Sequence, residues 1–205
     1  KLRVARSRVS TPRSGAPPAA GLAIRTHAAS PMRRLVTPNE SELHRFVRLI
    51  KGTQRIKDGF FLRAESLFNV ATEIERLGVQ KHYGGVSLHE QSHGEAFLAL
   101  IQNRFGGQGF YVLDEPEAAL SPQRQLVLLA EMHRLATMEG AQFVIATHSP
   151  ILMAYPDATI YELGEGGTTR VAYEDTEHYR LTRSFLMDPA RYLHHLFADD
   201  DAEEL

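Results

Sequence analysis

Two short polar segments follow apolar runs at points where a protein could do chemistry. Asp114 and Glu115 come directly after the run Gly109 to Leu113, and His148 follows the run Gln142 to Ala146. A carboxylate beside apolar residues is costly to bury unless a cation or donors compensate it. A hard, oxygen-ligated cation such as Mg²⁺ does this well. Asp114 could hold it, Glu115 could polarise a water, and His148 could reach a phosphate or that water.

Each segment also has an ordinary structural reading. The acids could complement the dipole of a following helix, although Ser121, several residues later, is the better helix cap. His148 could be a loop histidine beside Ser149, a helix cap. Because two polar segments with matching chemistry follow strands separated by one helix, we favour the chemical interpretation over both structural ones.

The elements that must position these residues follow from the apolar pattern. Gly109 to Leu113 and Gln142 to Ala146 have the continuous apolar character of buried strands. A helix begins between them at Ser121, with proline at its first position, and ends at Gly140. A strand, a helix and a strand predict a parallel pair, with ligands beyond the carboxyl ends of the strands.

The other predicted elements have similar sequence signals. They are a helix at Ser41 to Gly52, a strand at Gly59 to Leu62, helices at Ser66 to Leu77, Ser92 to Phe105 and Arg191 to Phe197, a short helix from Ser149, and a hairpin around Gly164 to Gly167.

Composition excludes several classes of protein. The 205 residues are 43% hydrophobic and 23% charged, which is typical of a globular chain. There is no cysteine, so disulfide scaffolds, cysteine-ligated zinc and thiol catalysis are excluded. No apolar run approaches the roughly 18 residues of a membrane span. We therefore expect a cytoplasmic protein.

Charge divides the chain into three parts. Residues 1–34 contain arginine, alanine, serine and proline but no acid, and we expect them to form a disordered basic leader. Residues 35–198 would form the folded domain, and residues 199–205 an acidic tail. The leader could contact nucleic-acid phosphates, and on that reading the chain would be a non-catalytic interaction module.

Four segments resemble the motifs of ATP-binding-cassette-type ATPases in the order and spacing of that family, and a fifth lies where the family's Q-loop would fall. The nearest group is the soluble prokaryotic AAA-type ATPases, related to chromosome-maintenance and repair ATPase heads. The likeness covers roughly residues 40–185. The segments are Phe110 to Pro116 (the Walker B strand), Glu117 to Ser121 (the D-loop), Thr147 to Ser149 (the switch-histidine loop), Gln91 to Glu95 (the signature motif) and Leu62 to Ser66, where Glu65 replaces the Q-loop glutamine.

The resemblance implies that ATP and Mg²⁺ bind and that ATP is hydrolysed between two heads. Asp114 would assist the metal, Glu115 would be the general base, and His148 would contact the γ-phosphate. Ser92 and the backbone of Gly94 would reach the nucleotide held by a partner subunit, a second copy in a homodimer. The implied fold is α/β, a three-layer P-loop NTPase-like fold with a mainly parallel sheet, a small C-terminal hairpin and helices.

The start of the signature helix has a physical signal of its own. Ser92 and Glu95 have the spacing of a capping box. The free N–H groups of such a helix start can face an anion, and the implied nucleotide contacts would include Glu95. The same capping box also stabilises the start of a helix that binds no ligand.

One family motif does not occur. No G-x-x-x-x-G-K-[ST] segment is found in the 205 residues, and none of the four lysines follows glycine and precedes serine or threonine. In the family this loop lies upstream of the matched segments, and its strand is central to the sheet. We expect either a chain lacking its N-terminal portion or a degenerate copy, with weak or no ATP turnover by this polypeptide alone.

A competing motif is His89-Glu90-x-x-His93, which matches the H-E-x-x-H helix of zinc peptidases. The two histidines bind zinc only if one helix runs through all five residues. The capping box at Ser92 instead predicts that the helix starts inside the motif. A zinc peptidase is therefore kept as the alternative to the ATPase.

Overall fold

A computed structural model describes residues 3–7, 56–164 and 167–198, with only the backbone described for residues 3–7. The predicted helix at residues 41–52, most of the basic leader and the acidic tail lie outside the described residues. The boundaries of the three predicted parts stay a prediction.

The described chain alternates strands and helices. The strands are β1 (Arg3–Ser7), β2 (Asp58–Arg63), β3 (Gly109–Asp114), β4 (Gln142–Ala146), β5 (Ala158–Gly164) and β6 (Gly167–Val171). The helices are α1 (Leu67–Arg76), α2 (His93–Arg104), α3 (Pro122–Met138), α4 (Pro150–Met153), α5 (Glu177–Met187) and α6 (Pro189–Ala198). Short 3-10 turns occur at Ala64–Ser66, Gln80–Tyr83, Leu88–Glu90, Pro116–Ala118 and Tyr173–Asp175.

The described strands form one sheet in the order β2-β3-β4-β1-β5-β6. β2, β3 and β4 are parallel neighbours. β1 runs antiparallel to both β4 and β5, so β5 points the same way as the parallel three, and β6 completes an antiparallel hairpin with β5. The prediction of an α/β fold with a mainly parallel sheet and a C-terminal hairpin is confirmed, and the fold is compatible with that of a P-loop NTPase.

β1 differs from the sequence-based expectation. The composition of residues 1–34 predicts no strand there, yet Arg3–Ser7 pairs along its length with β4 and β5. Five residues are too few for a period to be detected, and neighbouring strands decide their conformation. β1 therefore occupies a central position in the sheet, and it runs opposite to β4.

The core lies on one face of the parallel strands. Tyr111 and Leu113 of β3 are level with Phe143 and Ile145 of β4, and all four are buried. Helices α1, α2 and α3 supply the rest of that core, including the fully buried Phe97 of α2. Because side chains alternate between the two faces of a strand, these four residues all lie on the core face. Their packing holds the carboxyl ends of β3 and β4 in place.

Most helix boundaries agree with the sequence signals. The Ser121 hydroxyl accepts a hydrogen bond from the Arg124 amide at 3.4 Å and starts α3. Gly140, just after α3, has a φ of 71°, which suits glycine. Helix α5 is absent from the sequence-based prediction, although its apolar residues recur at helical spacing and Thr176 caps its first turn. Within the described residues, no helix has the length and hydropathy required to cross a membrane.

Candidate functional site

The register of the parallel strands brings three residues level at the carboxyl edge of the sheet. Arg63 at the end of β2 is opposite Asp114 at the end of β3, and Asp114 is opposite Ala146 at the end of β4. This edge is where open parallel sheets bind ligands. We call the polar residues gathered here the strand-tip cluster: Arg63, Asp114, Glu115, Glu117, His148 and His178.

Asp114 forms an ion pair with Arg63. The Arg63 Nε donates to Asp114 Oδ2 at 2.7 Å, and Nη2 lies 2.7 Å from the same oxygen. The hydrogen bond and charge of Asp114 raise the pKa of the Arg63 guanidinium, and the carboxylates of Glu65 and Glu115 add to the effect. A permanently charged guanidinium therefore compensates the acids at this edge.

Glu115 has a left-handed backbone, with φ 49° and ψ 51°. Its amide donates to the Ala146 carbonyl at 2.9 Å, which holds the turn against the end of β4. This conformation is uncommon for a residue with a Cβ, and such strain concentrates at functional sites. It leaves the Glu115 side chain 49% exposed, with Oε1 3.8 Å from His148 Nε2.

Glu117 fixes the start of the loop that follows β4. The Thr147 hydroxyl donates to Glu117 Oε2 at 2.7 Å, and the His148 amide donates to Oε1 at 2.5 Å. Thr147 is 1% exposed and also accepts a hydrogen bond from the Ser149 amide at 3.0 Å. The carboxylate thereby joins the loop after β3 to the loop after β4.

The His148 ring contacts a second imidazole. Its Nδ1 lies 2.8 Å from Nε2 of His178 in the first turn of α5. The two rings are nearly perpendicular, with 86° between their planes and 4.9 Å between centroids. His148 thus has Glu115 near one ring nitrogen and His178 near the other.

A second group, which we call the helix-start cluster, comprises Ser92, Gly94, Glu95 and Arg124. The predicted capping box is present, and Glu95 Oε2 accepts hydrogen bonds from the Ser92 hydroxyl at 2.6 Å and the Ser92 amide at 3.0 Å. These hydrogen bonds hold the pKa of Glu95 below its ordinary value, with a further contribution from Arg124. Arg124 of α3 donates to both Ser92 Oγ and Glu95 Oε1, at 3.1 and 2.9 Å.

Gly94 permits a close approach between α2 and the loop before α3. A Cβ at this position would lie 2.6 Å from Arg124 Nη1 and 2.9 Å from the Ala119 carbonyl oxygen. The contact requires a residue without a side chain. The helix-start cluster is therefore packed against the same loop, residues 115–121, that leaves the strand-tip cluster.

Glu65 lies in the turn Ala64–Ser66 directly after β2 and is exposed. This turn packs against the turn Pro116–Ala118 that follows the acids. Glu65 therefore lies beside the strand-tip cluster, where it acts electrostatically on Arg63.

The geometry does not form a zinc-peptidase helix. His89 lies in the turn Leu88–Glu90, Gln91 and Ser92 are extended, and α2 begins only at His93. The His89 ring instead contacts α1, with Nε2 3.2 Å from Thr72 Oγ1 and an edge-on contact to Phe68. The alternative drawn from the H-E-x-x-H motif is therefore not supported.

The oxygen donors of the strand tip suit magnesium. Mg²⁺ is usually held by one or two carboxylates together with phosphate oxygens and water. Asp114 and Glu115 supply two such carboxylates. Among the residues that the structure describes, no group of three or more histidines and acids is arranged to hold a metal. A magnesium ion here would thus take its remaining ligands from substrate and solvent.

The structure brings Asp114, Glu115, His148 and Glu65 to one edge of the sheet, and it assembles Ser92, Gly94 and Glu95 separately at the start of α2. Sequence reasoning missed Arg63, Arg124, Glu117 and His178 as members of these two clusters. Arg63 lies within the segment matched to the Q-loop, and the register of parallel strands could have placed it beside Asp114. No sequence signal connects His178 with His148.

The fold is compatible with that of P-loop NTPases, and the comparison with family models indicates an ATPase-like, nucleotide-binding class of domain. The family model described as "AAA domain, putative AbiEii toxin, Type IV TA system" matches residues 26–154. The chain belongs to this AAA domain family. No curated protein matches the chain, and no solved structure does either.

Proposed function

We propose that this AAA-family domain is an ATP-hydrolysing head of the cassette type. The strand-tip cluster would act on the γ-phosphate end of ATP, and the helix-start cluster on a nucleotide held by a second head. The observation that carries the proposal is the 3.8 Å approach of Glu115 Oε1 to His148 Nε2 at the carboxyl ends of neighbouring parallel strands.

Glu115 is the general base of this proposal. Its half-exposed carboxylate can accept a proton from a water at Oε1, and the backbone hydrogen bond to Ala146 holds the turn that carries it. His148 can donate from Nε2 to a phosphate oxygen beside the same water. The charge that develops on phosphoryl transfer is stabilised mainly by such positioned donors.

Asp114 is the proposed magnesium residue, and Arg63 is its counter-ion. When bound, Mg²⁺ would neutralise charge on the phosphate oxygens. Arg63 Nε and Nη2 both donate to Asp114 Oδ2, so the guanidinium orients the carboxylate from one side. The same guanidinium can donate to a phosphate oxygen, because arginine presents five N–H donors.

The helix-start cluster supports a partner head. The N-terminal end of α2 favours an anion, and the Arg124 guanidinium is bound to both residues of the capping box. A phosphate of a nucleotide held by a second copy of this chain would meet these donors. The homodimer is part of the proposal.

We further propose weak or no ATP turnover by this polypeptide alone. The 205 residues contain no P-loop motif, whose backbone N–H groups and lysine cradle the phosphates. The central position between β4 and β5 is occupied by β1, which runs antiparallel to both. Without the cradle, the remaining residues offer a metal site and a base but little affinity for the triphosphate.

Calorimetry at high protein concentration tests the proposal through ATP binding with and without Mg²⁺. We expect weak, Mg²⁺-dependent binding that is lost in Asp114→Asn. The matched control Asp157→Asn, an exposed acid in the loop before β5, should bind as the parent chain does. Failure to detect any magnesium-dependent binding would contradict the proposal.

Hydrolysis tests the prediction about turnover. We expect phosphate release near background for the parent chain. A clear Mg²⁺-dependent rate that disappears in Glu115→Gln would refute the prediction of impaired turnover while supporting the role of Glu115 as the base.

A further inference from the structure

The contact between the two imidazoles has a direction that the surrounding groups determine. A hydrogen bond between His148 Nδ1 and His178 Nε2, 2.8 Å apart, requires one ring to donate and the other to accept. The other nitrogen of His148, Nε2, lies 3.8 Å from Glu115 Oε1. An ionised carboxylate only accepts hydrogen bonds. The electrostatically favoured arrangement therefore has the proton of neutral His148 on Nε2.

This arrangement assigns the donor in the imidazole pair. If Nε2 of His148 carries the proton, Nδ1 is the acceptor, and His178 must donate from Nε2. The reverse arrangement would turn a lone pair of His148 toward the Glu115 carboxylate. We propose that His178 is a positioning residue that donates to His148 Nδ1 and so holds the His148 Nε2–H toward Glu115.

The position of His178 is fixed independently of His148. Thr176, which caps α5, is fully buried, and its hydroxyl donates to the Tyr173 carbonyl at 2.8 Å and accepts from the Tyr179 amide at 3.4 Å. His178 is the second residue after this cap and is half-buried. A capped first turn thus presents the ring to His148.

The backbone of His148 also has its own support. Glu117 accepts the His148 amide, and the buried Thr147 precedes it. Loss of the His178 side chain therefore leaves the loop in place and changes only the orientation and tautomer of the His148 ring. The consequence for catalysis rests on the proposed function. In that function the Nε2–H of His148 donates to a phosphate oxygen.

Nitrogen-15 NMR of the histidine side chains tests the inference directly, because protonated and unprotonated ring nitrogens have well-separated shifts. The full chain is measured without nucleotide at about pH 8, above the ordinary histidine range, and His148 is assigned by comparison with His148→Gln. We expect the Nε2–H tautomer of His148 to exceed the Nδ1–H tautomer by about tenfold, a ratio that corresponds to about 1.4 kcal/mol of electrostatic preference for an N–H facing the Glu115 carboxylate.

Two substitutions at position 178 separate positioning from a structural role. His178→Gln retains an N–H donor and should preserve the His148 tautomer. His178→Glu offers only an acceptor, suits the N-terminal turn of a helix, and should reverse the ratio toward Nδ1–H. The control His195→Gln, at an exposed position in α6, should change nothing, and circular dichroism verifies that each variant is folded.

An Nδ1–H tautomer in the parent chain would overturn the inference, as would an unchanged ratio in His178→Glu. The NMR measurement uses no nucleotide, so it gives the tautomer ratio of His148 even if the chain does not bind ATP. The failure of the proposed function and the failure of this inference are therefore distinguishable.

Discussion

At the scale of single residues, the site combines conformational strain with close charge compensation. Glu115 adopts a left-handed backbone, and Asp114 beside it is paired with Arg63. Natural sequences accept such local costs where a side chain must point at a ligand.

Replacing Glu115 with glycine should reveal this strain. Glycine adopts φ 49° without a Cβ clash, so Glu115→Gly should raise the free energy of unfolding by up to about 1 kcal/mol. Urea denaturation followed by circular dichroism measures the change. Glu65→Gly is the matched control, because Glu65 lies in a turn of ordinary helical handedness and should lose stability. A destabilised Glu115→Gly chain would contradict the interpretation that the backbone is strained.

The ion pair of Asp58 and Arg104 should make stability depend on acid pH. Burial alone would raise the pKa of Asp58, but the hydrogen bonds and charge of Arg104 outweigh it and hold this pKa below the ordinary 3.8. A carboxyl with a lowered folded-state pKa stabilises the fold above its unfolded-state pKa. This contribution is lost as the pH falls through the lower, folded-state pKa.

Thermal unfolding between about pH 5 and pH 2 tests this linkage. The parent chain should lose stability on acidification, and Asp58→Asn should be less stable near neutrality and flatter below pH 4. Glu90→Gln, a change at an exposed acid, should follow the parent curve. Parallel curves for Asp58→Asn and the parent would show that Asp58 does not contribute to the pH dependence of stability.

At the scale of elements, buried polar side chains hold the loops of the site together. Gln125 of α3 donates to the Leu120 carbonyl at 3.1 Å and accepts from the Ser149 hydroxyl at 2.5 Å. Ser149 also caps α4 by accepting from the Ile151 amide at 3.1 Å. One side chain thus connects the loop after Glu115 to the loop after His148.

Gln125→Met should therefore lower the free energy of unfolding by about 1–3 kcal/mol, because it leaves the Ser149 hydroxyl and the Leu120 carbonyl without this buried partner. Gln123→Met is the matched control, because Gln123 lies on the same helix but is exposed and should change stability by less than about 0.5 kcal/mol. Chemical denaturation of both variants gives the comparison. Equal effects would show that the connection is not stabilising.

The segments predicted well from sequence are those with local signals. β3, α3 and β4 follow from two apolar runs and from Ser121 and Pro122 at the helix start, and the structure confirms all three. The juxtaposition of Glu115 and His148 was predictable too, because parallel strands end at one edge of a sheet.

The missed features depend on tertiary contacts. Arg63 and Asp114 are 51 residues apart in sequence, and His148 and His178 are 30 apart. Neither pair has a local spacing that identifies it. β1 lacked a signal for the same reason, since neighbouring strands rather than its own composition make Arg3–Ser7 extended.

At the scale of the whole molecule, stability is unevenly distributed. Helix α2 contains Phe97, Leu100 and Ile101, all fully buried. In the described structure no residue of α5 or α6 is buried, and both helices leave large apolar side chains exposed. The C-terminal helices are thus held by few contacts, although α5 carries His178.

Native-state hydrogen exchange should reflect this difference. We expect the amides of α5 and α6 to exchange by local opening at a lower free energy than those of α2, which should require global unfolding. Mass spectrometry of exchanged peptides at increasing denaturant resolves the two classes. Equal protection of α2 and α6 would contradict this distribution of stability.

The most direct test of the central claim is where a nucleotide-bound metal lies on the molecule. Manganese can replace magnesium beside ATP, and its paramagnetism broadens nearby NMR resonances. The account predicts broadening centred on residues 113–115 and the His148 ring, with α6 unaffected and the effect absent in Asp114→Asn. Broadening centred on His89 and His93, or spread evenly over the surface, would contradict it.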